Sequence, residues 1–171
     1  ANGCQTTRTV DITQPTAAVW RPMPSGYTVE VLGSLPGNPY SAAYAVNNVG
    51  DIIGGSGFLG WNLSTGVLFT AAGPAALPGG VRGGDINDQR VVLGDAGLLD
   101  LNTGQLHAVP LPPWNWQAFG AAALNNRSDF CGYIVGYSGC STFPVRYRQG
   151  IGWDYLGGCA TTTSGTAIND R

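Results

Sequence analysis

The chain has 171 residues, 43% hydrophobic and only 11% charged, with 27 Gly, 11 Pro and a net charge of −2. That is long enough for one domain with a sizeable core, and the Gly- and Pro-rich make-up suits short strands joined by tight turns, not helices. All eight basic residues are Arg, so Schiff-base and P-loop lysine chemistry are excluded. No electropositive stripe offers itself to duplex nucleic acid, and no apolar run reaches the roughly 18 residues of a membrane-spanning helix.

In chain order, residues 1–26 read as an amino-terminal arm. Ala1-Asn2-Gly3-Cys4, without Met, has the look of a processed or trimmed end. Residues 6–12 (TTRTVDI) suit one strand, and the proline-broken 19–24 (VWRPMP) an extended run on the domain surface. Residues 27–32 (YTVEVL) alternate with period 2, as a half-buried strand does.

From residue 27 to 171 a repeat governs the pattern. Val46-Asn47-Asn48 leads to Ile52-Ile53-Gly54, and Ile86-Asn87-Asp88 to Val92-Leu93-Gly94. Leu124-Asn125-Asn126 leads to Phe130-Cys131-Gly132, and Ile168-Asn169-Asp170 opens a fourth copy. The first Asn residues lie 40, 38 and 44 residues apart (47 to 87, 87 to 125, 125 to 169). A period near forty built of short strands predicts an all-β, propeller-type array of four-stranded antiparallel sheets. The units are taken as 41–80, 81–120 and 121–165, with a partial 166–171. Each first strand ends in the Asn doublet. The expected second strands are 51–54, 90–94 and 129–135, the third 58–62, 98–102 and 143–148, and the fourth 67–71, 105–110 and 152–156. Gly66, Gly104 and Gly150 are assigned to the turns between the last two, and Trp61, Leu101 and Tyr147 to one recurring core position. Residues 27–32 then form the last strand of a repeat whose earlier strands are missing. About three full blades with unpaired terminal strands leave open sheet edges, so a larger ring or assembly is expected: the remainder of a longer chain, or other copies of this one.

The run 143–170, FPVRYRQGIGWDYLGGCATTTSGTAIND, has a strand, a Gly turn, a strand ending in Leu-Gly and an Ala-x-Ile-Asn strand; 41–54 supplies the entry into a glycine-closed strand. This order resembles the bacterial HAF extracellular repeats. Thr142-Phe143-Pro144 stands where their name-giving triplet belongs, whereas His107-Ala108-Val109 falls on a fourth strand. The resemblance implies a secreted or cell-surface β-propeller, with the periplasm as a second location, and leaves activity open.

Chemistry is sparse. The Asn/Asp motifs are read first as turn-forming hydrogen bonders and second as calcium ligands; no other cofactor is expected. His107 is the only histidine, no motif ties it to Asp100 or Ser138, and no catalytic residue is assigned. Trp114 and Trp116, after a Pro pair, suit stacking on carbohydrate or an apolar partner. Tyr133 and Tyr137 lie in an insertion, 133–142, that suits contact, and Arg146 and Arg148, two apart on a strand, suit an acidic group. Cys4, Cys131, Cys140 and Cys159, in no metal-binding spacing, are disulfide candidates in an oxidising compartment. The expected function is a non-catalytic extracellular binding, surface-attachment or assembly module; the alternative is a secreted hydrolase acting on polysaccharide.

Overall fold

A computed structural model of the chain describes residues 14–58, 62–111, 116–136, 142–157 and 165–170. The described residues are all-β: four antiparallel sheets of two to four strands, with no α-helix and no closed barrel or propeller ring. The first sheet is a hairpin of β1 (Ala17–Met23) and β2 (Gly26–Gly33). The second runs β3 (Tyr40–Val46), β4 (Ile52–Gly57), β5 (Thr65–Thr70), β6 (Gly73–Ala76). The third runs β7 (Gly83–Ile86), β8 (Val91–Gly94), β9 (Gly97–Asp100), β10 (Leu106–His107). The fourth runs β11 (Trp116–Leu124), β12 (Phe130–Gly136), β13 (Thr142–Arg148), β14 (Gly152–Tyr155). In each four-stranded sheet the order in space is the order in the chain.

The Asn doublet forms the same turn three times. Gly50 N donates to Asn47 O and Asn47 N to Asp51 O, both at 3.1 Å; Arg90 and Val91 repeat these bonds at Asn87, and Ser128 and Asp129 at Asn125. The fourth turn residue is left-handed each time: φ is 92° at Gly50, 65° at Arg90 and 62° at Ser128. This is a three-residue hairpin loop, a turn closed by a left-handed residue. Behind it, each first strand slips register at an equivalent place, between Ala43 and Ala45, Gly83 and Asp85, and Ala121 and Ala123; β11 slips a second time between Trp116 and Ala118. One extra residue bends the strand there.

The glycine seven residues beyond each motif Asn is set by crowding. A Cβ on Gly54 would overlap the Ala42 carbonyl oxygen, and one on Gly132 that of Gly120. On Gly94 it would strike the Val81 side chain and lie 3.0 Å from the Arg82 carbonyl oxygen. Those three carbonyls all lie five residues before their motif Asn.

Successive sheets enclose three apolar layers. Ala17, Ile52, Val67 and Phe69 fill the first; Ile53, Leu77, Val81, Ile86, Val92 and Leu99 the second; Leu93, Leu98, Leu124 and Phe130 the third. Neighbouring residues of one strand enter different layers, as Ile52 and Ile53 do, because side chains alternate across a sheet. Phe130 anchors the third, with Tyr147 stacked at 5.2 Å and the edge of Trp153 at 5.6 Å.

Several expectations need correction. Residues 19–24 are not an arm: 17–23 are β1, paired with β2 across a two-residue turn. Pro22 is tolerated because β1 has a partner on one side only. In the first four-stranded sheet the expected fourth strand, 67–71, lies in the third, β5, and the fourth is β6. Gly66 is inside β5, where a Cβ would overlap the Val81 carbonyl oxygen; the turn glycine is Gly73, φ 109°. Most of the expected strand 58–62, including Trp61, lies outside the described residues, as does 6–12. The core positions matching Tyr147 are Leu99 and Phe69, not Leu101 and Trp61, since each lies opposite the residue five beyond its motif Asn. Residues 165–170 are not a strand.

Candidate functional site: an asparagine ladder

The three turns and the 165–170 segment bring the four Asn motifs side by side around an open hollow of about 270 Å³. Each of the first three motif Asn residues does two things. Its Oδ1 accepts a backbone N–H of its own turn: Asp51 N to Asn47 at 2.8 Å, Val91 N to Asn87 and Asp129 N to Asn125 at 2.9 Å. Its Nδ2 reaches across to the next motif. Asn47 donates to Asn87 O, Asn87 to Asn125 O and Asn125 to Asn169 O, each at 3.0 Å. Asn87 and Asn125 are buried, so the first two of these bonds also satisfy carbonyls shut away from water.

The second residue of each doublet makes an outer rail. Asn48 N donates to Asp88 Oδ1 (2.8 Å), Asp88 N to Asn126 Oδ1 (2.9 Å), and Asn126 N to Asp170 Oδ1 (2.7 Å). Side-chain amides bind the same carboxylates: Asn48 Nδ2 donates to Asp88 Oδ2 at 2.9 Å, and Asn126 Nδ2 to Asp88 Oδ2 and Asp170 Oδ2 at 3.1 Å. The rail therefore alternates amide, carboxylate, amide, carboxylate, and no two carboxylates are neighbours. The Asn48 amide, with its backbone N–H and the Asn126 amide, holds the Asp88 carboxyl below its ordinary value.

Local hydrogen bonding is thus the work the motif residues do, in the geometry of Asx turns, and they carry a second, inter-sheet bond as well. Of the oxygens offered to calcium in the second reading, those of Asn47, Asn87, Asn125, Asn126, Asp88 and Asp170 accept N–H donors. Among the described residues no group of three His, Cys, Asp or Glu side chains gathers as metal ligands do. Arg90 adds a clamp between sheets, its Nε 2.9 Å and Nη2 3.2 Å from the Asp51 carboxylate.

Of the ligand candidates from the sequence, Tyr133, Arg146 and Arg148 do not line this hollow. Arg146 and Arg148 hold an acidic group of the chain itself: Asp154 on β14, at 2.9 Å from Arg146 Nη2 and 2.8 Å from Arg148 Nε. The hydrogen bonds from Arg148 and Arg146 keep the Asp154 carboxyl below its usual range. Tyr133 lies on β12 with its ring over Gly120. Trp116 begins β11, its backbone opposite Gly136; Trp114 and Tyr137 lie outside the described residues. His107 is exposed on the edge strand β10, and Asp100 accepts a hydrogen bond from Asn102 N; Ser138 lies outside the described residues. Cys131 is a free, buried thiol whose pKa burial pushes up, and Gly165 lies against it. Cys4, Cys140 and Cys159 lie outside the described residues.

Two features escaped the sequence reading. The alternation of the rail is visible in the doublets Asn-Asn, Asn-Asp, Asn-Asn, Asn-Asp, but it has meaning only once the copies are adjacent. The second is an apolar face on the first hairpin. Trp20 sits opposite Val29, Ala18 opposite Val31 and Pro22 opposite Tyr27. Trp20 is 64% exposed, Tyr27 74%, Val29 54% and Val31 57%. The alternation of 27–32 signalled a two-sided strand, and here its apolar side is the uncovered one. Compared with models of protein families, with curated proteins and with solved structures, the chain matches none.

Proposed function

We propose that the chain is part of a propeller-type stack of four-stranded repeats and works outside the cell as a non-catalytic binding, attachment or assembly module. The observation that carries this reading is where the chain spends its polar chemistry and where it leaves apolar surface. Every carboxylate among the described residues is engaged by an arginine or by amide N–H donors. Asp88 and Asp170, the two at the hollow, are separated by Asn126. A polysaccharide hydrolase of the usual kind needs two carboxylates facing one bond, one of them free to take up a proton. What stands uncovered instead is the aromatic and aliphatic face of β1 and β2, of the kind that contacts partners. The resemblance of the repeat order to HAF-type proteins supports the extracellular setting.

The test is to incubate the purified chain with insoluble cell-surface polysaccharides and measure both retention and release of reducing ends. Retention without release is expected, and sustained release of reducing sugar would overturn the reading. A glycan array comparing the unaltered chain with Trp114→Ala and Trp116→Ala variants assigns or removes those indoles as the contact.

A further inference from the structure

The first described rung of the ladder differs from the next two in a specific way. The residue before each motif Asn is apolar, and in the first three copies its exposure follows what precedes it in the stack. Ile86 is 5% exposed and Leu124 8%, each sealed by the sheet before; Val46, the same position in the first copy, is 60% exposed. The hydrogen bonding differs at the same point. Asn87 O accepts both a turn N–H and the preceding Nδ2, and so does Asn125 O; among the described residues Asn47 O accepts only Gly50 N. Asn126 Oδ1 accepts the preceding backbone N–H and its Nδ2 serves carboxylates on both sides, whereas Asn48 serves Asp88 alone. An apolar groove lined by Trp20, Tyr44 and Val46 joins this spot to the exposed face of β1 and β2. The one ion pair of that hairpin, Arg21 with Glu30, lies on its other face, so the exposed face carries no charge.

We propose that this surface docks the opposite end of a second copy of the chain, head to tail, with Asp170 of the second copy beside Asn48. The proposal rests on the stacked-repeat reading above and names its partner. Continuity of the existing interfaces selects the occupant: each seam inside the chain joins the leading face of one sheet to the trailing face of the one before. The rail selects the register. Among the described residues it runs from an amide, Asn48, to a carboxylate, Asp170, so a second copy continues the alternation without placing two carboxylates together. A face-to-face pairing of two hairpins would set acceptors against acceptors at Asn47 and Asn48. A head-to-tail contact gives a ring if the rotation closes and a filament if it does not.

Sedimentation velocity of the intact chain over a wide concentration range is the test. The unaltered chain is expected to exceed monomer mass as concentration rises. A leading-face variant, Trp20→Glu with Val31→Glu, and a trailing-end variant, Ile168→Glu with Asp170→Lys, are each expected to stay monomeric with an unchanged circular dichroism spectrum. Mixed, the two should form a one-to-one dimer, because one intact leading face then meets one intact trailing end. An unaltered chain that is monomeric throughout, or a mixture that does not associate, overturns the docking. Loss of the stacked-repeat reading would show differently, as an Asn87→Ala variant no less stable than the unaltered chain.

Discussion

Asn87 shows how much one side chain carries. It is 4% exposed, its Oδ1 accepts Gln89 N at 3.1 Å and Val91 N at 2.9 Å, and its Nδ2 donates to Asn125 O. Truncation to Ala strips two turn donors and one buried carbonyl at once, and buried groups left unpaired cost about 1–3 kcal/mol each before relaxation. Asn87→Ala is expected to cost about 3 kcal/mol in urea unfolding. Asn87→Asp is the sharper test, because it keeps the acceptor but points an oxygen at the Asn125 carbonyl. If the residue only formed its own turn, Asp would serve nearly as well as Asn. The ladder requires Asp to cost about 2 kcal/mol, and a near-neutral result would reduce the motif to a local turn.

At the scale of the element, strand and glycine patterns show what is legible in a sequence and what is not. The Asn turns and the strands on either side stand out because each copy repeats the same local chemistry, a donor–acceptor pair bridging four residues. The last two strands of the first repeat do not, since Ser64-Thr65-Gly66 looks like Asn102-Thr103-Gly104 in one dimension. Gly104 has φ 73° and open space where a Cβ would stand; Gly66 is extended and pressed against the Val81 carbonyl. A letter G records neither cause. The first hairpin was obscured by its prolines, and period-2 alternation does not say which side of a two-sided strand is covered. The same two causes are separable by experiment. At Gly132 a methyl group would overlap the Gly120 carbonyl oxygen inside a paired strand, whereas Gly150 has φ 78° and nothing within 4 Å. Gly132→Ala should cost about 2–3 kcal/mol through overpacking, and Gly150→Ala about 1 kcal/mol through left-handed backbone strain. Urea midpoints compared at a common slope measure both; equal costs would mean that the strand can shift to make room and that crowding does not set the seventh-position glycine.

Across the whole molecule the rail couples all four copies, and its alternation is a property of none of them singly. Asp88 lies between two amides, and its hydrogen bonds from Asn48 and Asn126 lower its pKa from 3.8. A carboxyl lowered on folding stabilises the fold above 3.8, and that contribution is lost as pH falls through the lower folded value. Asn126→Asp reverses the sign. It removes the amide that serves Asp88 and Asp170 and sets three carboxylates in a row, each raising the pKa of its neighbours. Groups raised on folding destabilise the fold at pH above their folded values, and protonation relieves them as pH falls. The variant should therefore be less stable than the unaltered chain at neutral pH, with the gap narrowing as pH drops below roughly 5 toward the ordinary carboxylate range. Melting temperatures of the two chains across that range decide it. A gap that stays constant with pH would mean that the rail acts through shape and hydrogen-bond count alone. A gap that narrows makes charge order part of what holds successive sheets in sequence, and gives a physical reason for Asn-Asn and Asn-Asp doublets to alternate along the chain.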